Sequence, residues 1–257
     1  ITYMRTDAVN LAERFLTEAR SEISQKIGAK FIPDEPRYYK AKSRLAQEAH
    51  EAIRPTSAVR APESMKAHLE PNQWKLYDLI WRRALASQMN DAELETASAD
   101  IETDGYTFHA AGTRVVFEGY MALFPDAERP EMIPELAKGE GVTAQEILPK
   151  QHFTEPPPRY SDASLVKMLE EHGIGRPSTY APTIGTLLDR GYVDRIEGRR
   201  LKPTEIALVV NDLLVEHFPT IVDLDFTAKM EEELDEVAEG KKEWVPVIRE
   251  FYGPFAK

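Results

Sequence analysis

The chain opens with a tyrosine and an arginine two residues apart, Tyr3 and Arg5, in a short stretch rich in β-forming residues. In an extended backbone, side chains at positions i and i+2 point to the same face, so the phenol and the guanidinium would lie side by side. A hydroxyl nucleophile beside a fixed cation suits attack on a phosphodiester, because the cation stabilises the crowded anionic phosphorus. Taken alone, the spacing favours a simpler interpretation, an amphipathic strand with Tyr3 half-buried.

A second candidate is His50, in the segment QEAHEAIRPT at residues 47–56. If residues 47–54 form a helix, His50 and Arg54 share one face because they are four residues apart, and Pro55 ends that helix. A histidine can donate to phosphate or transfer a proton near neutral pH. A single histidine is more often structural, so the segment alone favours that role.

A third candidate is the turn GIGRPSTYA at residues 173–181. Arg176 precedes Ser178 and Thr179, one of which is expected to cap the following helix. The N–H groups and dipole of a helix N-terminus, together with these donors, form a site for an anion. Simple N-capping is the alternative, and both roles can hold together.

Composition and charge restrict the classes of protein to consider. The chain of 257 residues has no cysteine, which excludes disulfides and thiolate metal sites and fits a reducing cytoplasm. No run of eighteen apolar residues occurs, so no membrane span is expected. The net charge of −12 argues against an evenly basic nucleic-acid binder. The charge is uneven, however: residues 1–60 hold eleven Lys and Arg against eight Asp and Glu, and residues 91–155 hold four against fourteen.

The pattern along the chain predicts an α+β multidomain protein with three sections. Residues 1–90 form a helical section, with a helix capped by Asp7 and ended by Gly28 and with Trp74 and Trp81 in the core. The stretch 37–44 mixes basic residues with two tyrosines, which suits phosphate contact and base stacking or a solvated loop equally. Residues 91–153 are β-rich, with a hairpin turn at Asp104-Gly105 and further strands at 114–118 and 144–148.

Residues 154–257 show a winged-helix-like order of elements. We expect a helix from Ser161 or Asp162 to His172, a second helix ending at Asp189, a hairpin with its tip at Gly198, and a helix over 204–217. An acidic helix over 227–239 is expected to face water, and Asp223-Leu224-Asp225 is interpreted as a loop before it.

Three strings in one order resemble the type IA DNA topoisomerases. They are ITYMRTD at residues 1–7, QEAHEAIRPT at 47–56 and YSDASLVKMLEEHGIGRPSTYA at 160–181. Three uncommon strings are far more specific than one motif, and the resemblance runs over nearly the whole chain. Ala8 is a small departure, since the family commonly has serine there.

The resemblance implies roles for the candidate residues. Tyr3 is the nucleophile that forms a 5′-phosphotyrosine link to single-stranded DNA, Arg5 clamps the scissile phosphate, and His50 contacts phosphate during cleavage. Arg54 contacts DNA or braces His50. Arg176, Ser178 and Thr179 hold the DNA backbone near the cleavage site. Because one phosphodiester is exchanged for another, the strand can be resealed without ATP.

The resemblance also implies a wider setting. The family's Mg²⁺ site and a catalytic glutamate lie in an N-terminal Toprim domain. The chain starts at Ile1, so we expect a fragment without that domain, with no cofactor of its own and poor relaxation activity. The section 91–153 would support a hinge in a toroidal, winged-helix-containing fold. Expected partners are single-stranded and negatively supercoiled DNA, with a monomeric enzyme in the cytoplasm at the nucleoid and no membrane.

Two other functions are to be tested against this one. A non-catalytic single-stranded DNA-binding module would use the basic aromatic stretch and the Arg176 turn, and would lose nothing on Tyr3→Phe. A winged-helix regulator would bind duplex DNA sequence-specifically through residues 160–217 alone. Neither explains ITYMRTD and HEAIRPT together.

Overall fold

The computed structural model describes residues 1–4, 6, 8–39, 51–125, 128 and 131–256. The chain divides into two compact units, Ile1–Lys150 and Gln151–Lys257. Each unit combines helices with a two-stranded antiparallel sheet, so the predicted α+β class is confirmed. The division into sections 1–90, 91–153 and 154–257 and their winged-helix character stay predictions.

The first helix, α1, spans Glu13–Lys26 and begins later than predicted. Residues 8–12 are not helical, and Asp7 lies outside the described residues. The N-cap is Ala12, which offers no side-chain cap. The predicted end at Gly28 is correct: its φ of 133° suits glycine, and its N–H bonds the carbonyl of Ile23 at 3.0 Å.

Two further helices complete the helical part of unit 1, α2 at Pro62–Met65 and α3 at Pro71–Ala86. The core between α1 and α3 is apolar, and its fully or nearly fully buried members are Phe15, Ala19, Ile23, Phe31, Ala58, Trp81, Ala84, Leu85, Met89 and Leu123. Trp81 belongs to this core, as predicted, and its indole N–H donates to the carbonyl of Ala58 at 2.8 Å. Trp74 is half-buried, with its indole N–H on the carbonyl of Pro62.

The predicted hairpin of unit 1 is present. Strand β1, Glu93–Thr103, pairs antiparallel with β2, Tyr106–Phe117. Both turn residues, Asp104 and Gly105, have positive φ, at 46° and 82°, as a two-residue turn of this hand requires. The expected strand 114–118 is the end of β2. The expected strand 144–148 is wrong, because the short apolar pattern there finds no strand to pair with in the described residues.

Unit 2 contains five helices and a second hairpin in the described residues. They are α4 Asp162–Glu171, α5 Pro177–Asp189, β3 Val193–Ile196, β4 Arg200–Pro203, α6 Glu205–His217, α7 Leu224–Ala238 and α8 Trp244–Phe255. Ser161 caps α4, Thr204 caps α6, and Gly198 turns the hairpin with φ 68°. These elements were predicted, whereas α8 was not, because Pro246, Gly253 and Pro254 suggest breaks.

The predicted loop at Asp223–Asp225 is wrong. Asp223 is the N-cap of α7, and its carboxylate accepts from the backbone N–H of Asp225 at 2.8 Å. Helix α7 therefore begins three residues earlier than the position 227 predicted from sequence. Among the described residues, no helix is both long enough and apolar enough to cross a bilayer.

Candidate active site

The start of the chain is bound to the segment 51–55 through Thr2. The backbone N–H of Thr2 donates to the carbonyl of Arg54 at 2.9 Å. The Thr2 hydroxyl donates to the carbonyl of Ala52 at 2.7 Å and accepts from the backbone N–H of Arg54 at 2.9 Å. Two of the three recognised strings are therefore in direct contact, although about fifty residues separate them.

The next residue, Tyr3, is exposed. Its side chain keeps 74% of its accessible surface, so the half-buried tyrosine of the simpler interpretation is wrong. Residues 1–4 form no strand, although Thr2 is held by its hydrogen bonds to Ala52 and Arg54. Arg5 and His50 lie outside the described residues, so their positions relative to Tyr3 stay predictions.

The segment that receives Thr2 is not helical. The prediction of a helix over 47–54 is wrong for its described part, residues 51–54. The N–H of Ala52 bonds the carbonyl of Asn10 at 2.8 Å, and the polar backbone groups of Arg54 bond Thr2. These long-range bonds replace those that a helix would make, and Pro55 disfavours helical backbone at the residue before it.

Glu51 and Arg54 form a bidentate ion pair beneath this contact. The guanidinium Nε and Nη2 lie 2.5 and 3.0 Å from the two carboxylate oxygens. The guanidinium also donates to the carbonyl of Pro55 at 2.8 Å and lies 4.6 Å above the ring of Phe15 in α1. Only 12% of the Arg54 side chain is exposed. The partner of Arg54 in the described residues is thus Glu51, and both roles left open for Arg54, a DNA contact and bracing of His50, stay predictions.

Glu51 also occupies the N-terminal end of α1. Its Oε1 accepts from the backbone N–H of Ala12 at 2.8 Å. The N-terminal end of a helix favours negative charge. In the structure, the carboxylate of Glu51 meets that end, and Glu13 lies in the first turn of the helix.

The environment of Glu51 lowers its pKa. Burial alone would raise the pKa, but the hydrogen bonds from Arg54 and from the N–H of Ala12 outweigh it and bring the pKa below the ordinary 4.5. A carboxyl whose folded pKa is lowered contributes stability that is present above its unfolded pKa. That contribution is lost as the pH falls through the lower, folded pKa.

We therefore expect Glu51→Gln to remove part of the acid sensitivity of unit 1. The original chain should lose stability relative to this variant as the pH falls below about 4.5, and should be the more stable of the two at pH 7. Thermal melts from pH 7 to pH 3 check this expectation. Glu63→Gln, at an exposed acid of the same unit, is the control and should follow the original chain; identical pH profiles for all three proteins would contradict the assignment.

The third string places Arg176 at the start of α5. Arg176 is the N-cap, and Pro177 is the first helical residue, a position that proline favours. The expected caps, Ser178 and Thr179, lie inside the helix, so that prediction is wrong. The Thr179 hydroxyl instead accepts from the backbone N–H of Arg176 at 2.9 Å, and the Thr179 N–H donates to the carbonyl of Arg176 at 2.9 Å. Ser178 is exposed.

The guanidinium of Arg176 is held by the acidic helix α7. Its Nη2 lies 2.8 Å from the carboxylate of Asp235 and 3.4 Å from that of Glu231. The same nitrogen donates to the backbone carbonyl of Glu231 at 3.3 Å. This face of α7 therefore contacts Arg176, which corrects the expectation that the helix faces only water. A phosphate at this turn would compete with these carboxylates for the cation.

The basic aromatic stretch, residues 37–44, is described by the structure only up to Tyr39. Arg37 pairs with Asp91 at 2.9 Å, the Tyr38 hydroxyl donates to Glu13 at 3.0 Å, and the Tyr39 hydroxyl donates to the carbonyl of Ser87 at 2.7 Å. These contacts fix the described part of the stretch to α1 and to the end of α3. Residues 40–44 lie outside the described residues.

The described residues contain no group of three or more His, Cys, Asp or Glu side chains that could hold a metal ion. The site residues that sequence reasoning missed are Thr2 and Glu51 near Tyr3, and Asp235 and Glu231 near Arg176. Each of these four residues contacts a partner that is distant in the sequence, and the spacing within the motifs does not indicate such a contact.

Comparisons with known proteins agree with the three strings. A family model described as DNA topoisomerase matches residues 1–249. DNA topoisomerase 1 of Xylella fastidiosa is 48% identical over 265 residues, covering 99% of this chain and 32% of the relative. The Helicobacter pylori enzyme of the same name is 43% identical, covering 99% of this chain and 34% of the relative.

A solved structure, the full-length topoisomerase I of Thermotoga maritima, is similar with a TM-score of 0.81 and 39% identity. The match covers 99% of this chain and 41% of the Thermotoga chain. The chain thus spans about a third of the length of the curated relatives. With the family model matching nearly its whole length, the chain belongs to the type IA DNA topoisomerase family.

Proposed function

We propose that this chain carries the nucleophile of a type IA DNA topoisomerase, which cuts one DNA strand transiently and reseals it. The contact between Thr2 and the segment 51–55 supports this most directly, because it joins two of the three strings and leaves Tyr3 exposed beside them. An exposed phenol on an anchored backbone is accessible to a DNA strand. Trapping and mapping of the covalent complex tests the proposal, as set out in the Discussion.

The proposed reaction exchanges one phosphodiester for another. The Tyr3 oxygen attacks the scissile phosphorus and forms a new O–P bond, the bond to the 3′ oxygen breaks, and the phenol proton is transferred as the 3′ hydroxyl forms. The reverse attack by that hydroxyl reseals the strand without ATP. Arg5 cannot act as the base because its guanidinium stays protonated, so we assign it the phosphate clamp, and His50 a phosphate contact.

The complete enzyme would use Mg²⁺ in a Toprim domain. The described residues of this chain offer no cluster of ligands for such an ion, and no step above depends on it. We also propose that the partners are single-stranded DNA and negatively supercoiled DNA, and that the enzyme is monomeric and acts at the nucleoid. The section 91–153 would support the hinge that strand passage requires.

We expect the 257-residue chain by itself to relax negatively supercoiled plasmid poorly or not at all, because the groups proposed to hold Mg²⁺ belong to the rest of the enzyme. The measurement is an agarose-gel relaxation assay with Mg²⁺. A chimera in which this chain replaces the matching third of the Xylella fastidiosa enzyme is the positive control. Efficient relaxation by the chain alone would contradict the expectation.

At the Arg176 turn, we propose a contact with the DNA backbone through Arg176, Ser178 and Thr179. Since Asp235 holds the guanidinium at 2.8 Å, Asp235→Asn should weaken the hold on the cation, which Glu231 still contacts at 3.4 Å, and should remove a charge that repels phosphate. Binding of single-stranded DNA should then tighten about two- to fivefold at low salt and less at high salt. Fluorescence anisotropy with a labelled oligonucleotide measures the effect.

The matched control for this prediction is Glu232→Gln, which removes an exposed acid from the same helix. The two variants have the same net charge, so a difference between them reports the contact with Arg176. Equal affinities for the two variants would show that only total charge matters and would remove the support for a phosphate site at this turn.

A further inference from the structure

We propose that Thr2 is a positioning residue that orients the phenol of Tyr3 for attack, by anchoring the backbone one residue before it to the segment 51–55. The inference rests on the proposed function and deepens it, because it names a residue on which the rate of cleavage depends. Thr2 would act only through the backbone and through Tyr3, without touching DNA.

The hydroxyl of Thr2 makes two bonds of opposite direction at once. It donates to the carbonyl of Ala52 at 2.7 Å and accepts from the N–H of Arg54 at 2.9 Å, while the N–H of Thr2 donates to the carbonyl of Arg54 at 2.9 Å. Both hydroxyl bonds need a donor and an acceptor on one atom, which only serine or threonine supplies at this distance from the backbone. Valine has the shape of threonine and can make neither bond.

The segment 51–55, to which Thr2 is hydrogen-bonded, makes several contacts with the rest of unit 1. Glu51 binds the N–H of Ala12 at the start of α1 and clamps Arg54, whose guanidinium lies over Phe15. Ala52 bonds Asn10, and Pro55 is fully buried. The anchor of Thr2 is therefore a surface fixed to α1 and the core of unit 1.

Because Thr2 is next to Tyr3 in the chain, its hydrogen bonds to the segment 51–55 also restrict the position of Tyr3. Tyr3 follows Thr2 directly, so the backbone that carries the phenol begins one peptide unit from the groups that bond to Ala52 and Arg54. Tyr3 is 74% exposed, so its phenol lies at the surface of unit 1. A nucleophile displaced by about 1 Å can lose about a hundredfold in rate, so the anchor affects chemistry more than binding.

The test uses the chimera in which this chain replaces the matching third of the Xylella fastidiosa enzyme. Thr2→Val, Thr2→Ser and Tyr3→Phe are compared by the rate of covalent adduct formation at saturating labelled oligonucleotide and by the Kd for that oligonucleotide. We expect Thr2→Val to lower the rate about 10- to 100-fold with Kd unchanged within about twofold. Thr2→Ser should keep the rate within about threefold, because it keeps both hydroxyl bonds.

Two results would overturn the inference: a rate for Thr2→Val equal to that of the original, or equal losses in Thr2→Val and Thr2→Ser. If Thr2→Val does not fold, Glu51→Gln replaces it in the test, because this variant weakens the ion pair with Arg54. We expect Glu51→Gln to lower the rate of adduct formation several-fold at constant Kd. An unchanged rate would overturn the inference as well. Adducts that persist in Tyr3→Phe refute the proposed function itself. Adducts lost in Tyr3→Phe but normal in Thr2→Val refute only the role of Thr2.

Discussion

Replacing Tyr3 with phenylalanine is expected to abolish covalent DNA adducts in the chimeric enzyme and to leave the affinity for single-stranded DNA within about twofold. The substitution removes only the oxygen that would bond to phosphorus. The ring is exposed, so its packing is almost unaffected, and the hydrogen bonds of Thr2 to the segment 51–55 use no atom of Tyr3. Adducts are measured by denaturing gels after rapid quenching with labelled oligonucleotide.

The matched control is Tyr106→Phe, at a tyrosine that is 72% exposed in the hairpin of the same unit. It loses a hydroxyl of similar exposure far from the recognised strings in sequence, and should form adducts at the original rate. A Tyr3→Phe variant with full adduct formation would favour the non-catalytic DNA-binding module. Sequence-specific duplex binding by residues 160–217 alone would favour the regulator instead.

The second large effect concerns the ion pair beneath Thr2. Arg54→Ala should destabilise unit 1 by about 2 kcal/mol, because it leaves the partly buried Glu51 carboxylate without its cation and removes the guanidinium from the ring of Phe15. The bond to the carbonyl of Pro55 is lost as well. Urea unfolding is followed by tryptophan fluorescence in a Trp244→Phe background, so that the signal comes from Trp74 and Trp81 of unit 1 and not from unit 2.

An exposed ion pair with one contact of the same length provides the control for Arg54. Arg114 Nε lies 2.5 Å from Glu95, as Arg54 Nε does from Glu51, but more than half of the Arg114 side chain is exposed. Surface pairs contribute about 0–1 kcal/mol, so Arg114→Ala should cost much less. A cost for Arg54→Ala no larger than that for Arg114→Ala would show that the buried clamp does not stabilise unit 1.

Much of the fold was predictable where the signals are local. The turn Asp104-Gly105 fixed the hairpin register, and Ser161 and Thr204 marked the starts of α4 and α6 through side-chain caps. In each case the deciding interaction joins residues only a few positions apart, so the pattern along the chain contains it.

The start of α1 and the surroundings of the candidate site were not predictable in this way. The N-cap of helix α1 is an alanine, which offers no side-chain cap, and Glu51, 39 residues further along the chain, accepts from the N–H of Ala12. Asp235 holds Arg176 across 59 residues. The motif spacing identified Tyr3 and Arg176, but their neighbours depend on how distant segments pack, which a single sequence leaves open.

Mapping the covalent complex tests the central claim most directly. The chimeric enzyme is mixed with labelled single-stranded oligonucleotide, denatured and digested, and the modified peptide is identified by mass spectrometry. We expect one nucleotide-bearing peptide, with the phosphate of the 5′ end on the oxygen of Tyr3. A nucleotide attached to any other side chain would contradict the assignment of Tyr3 as the nucleophile.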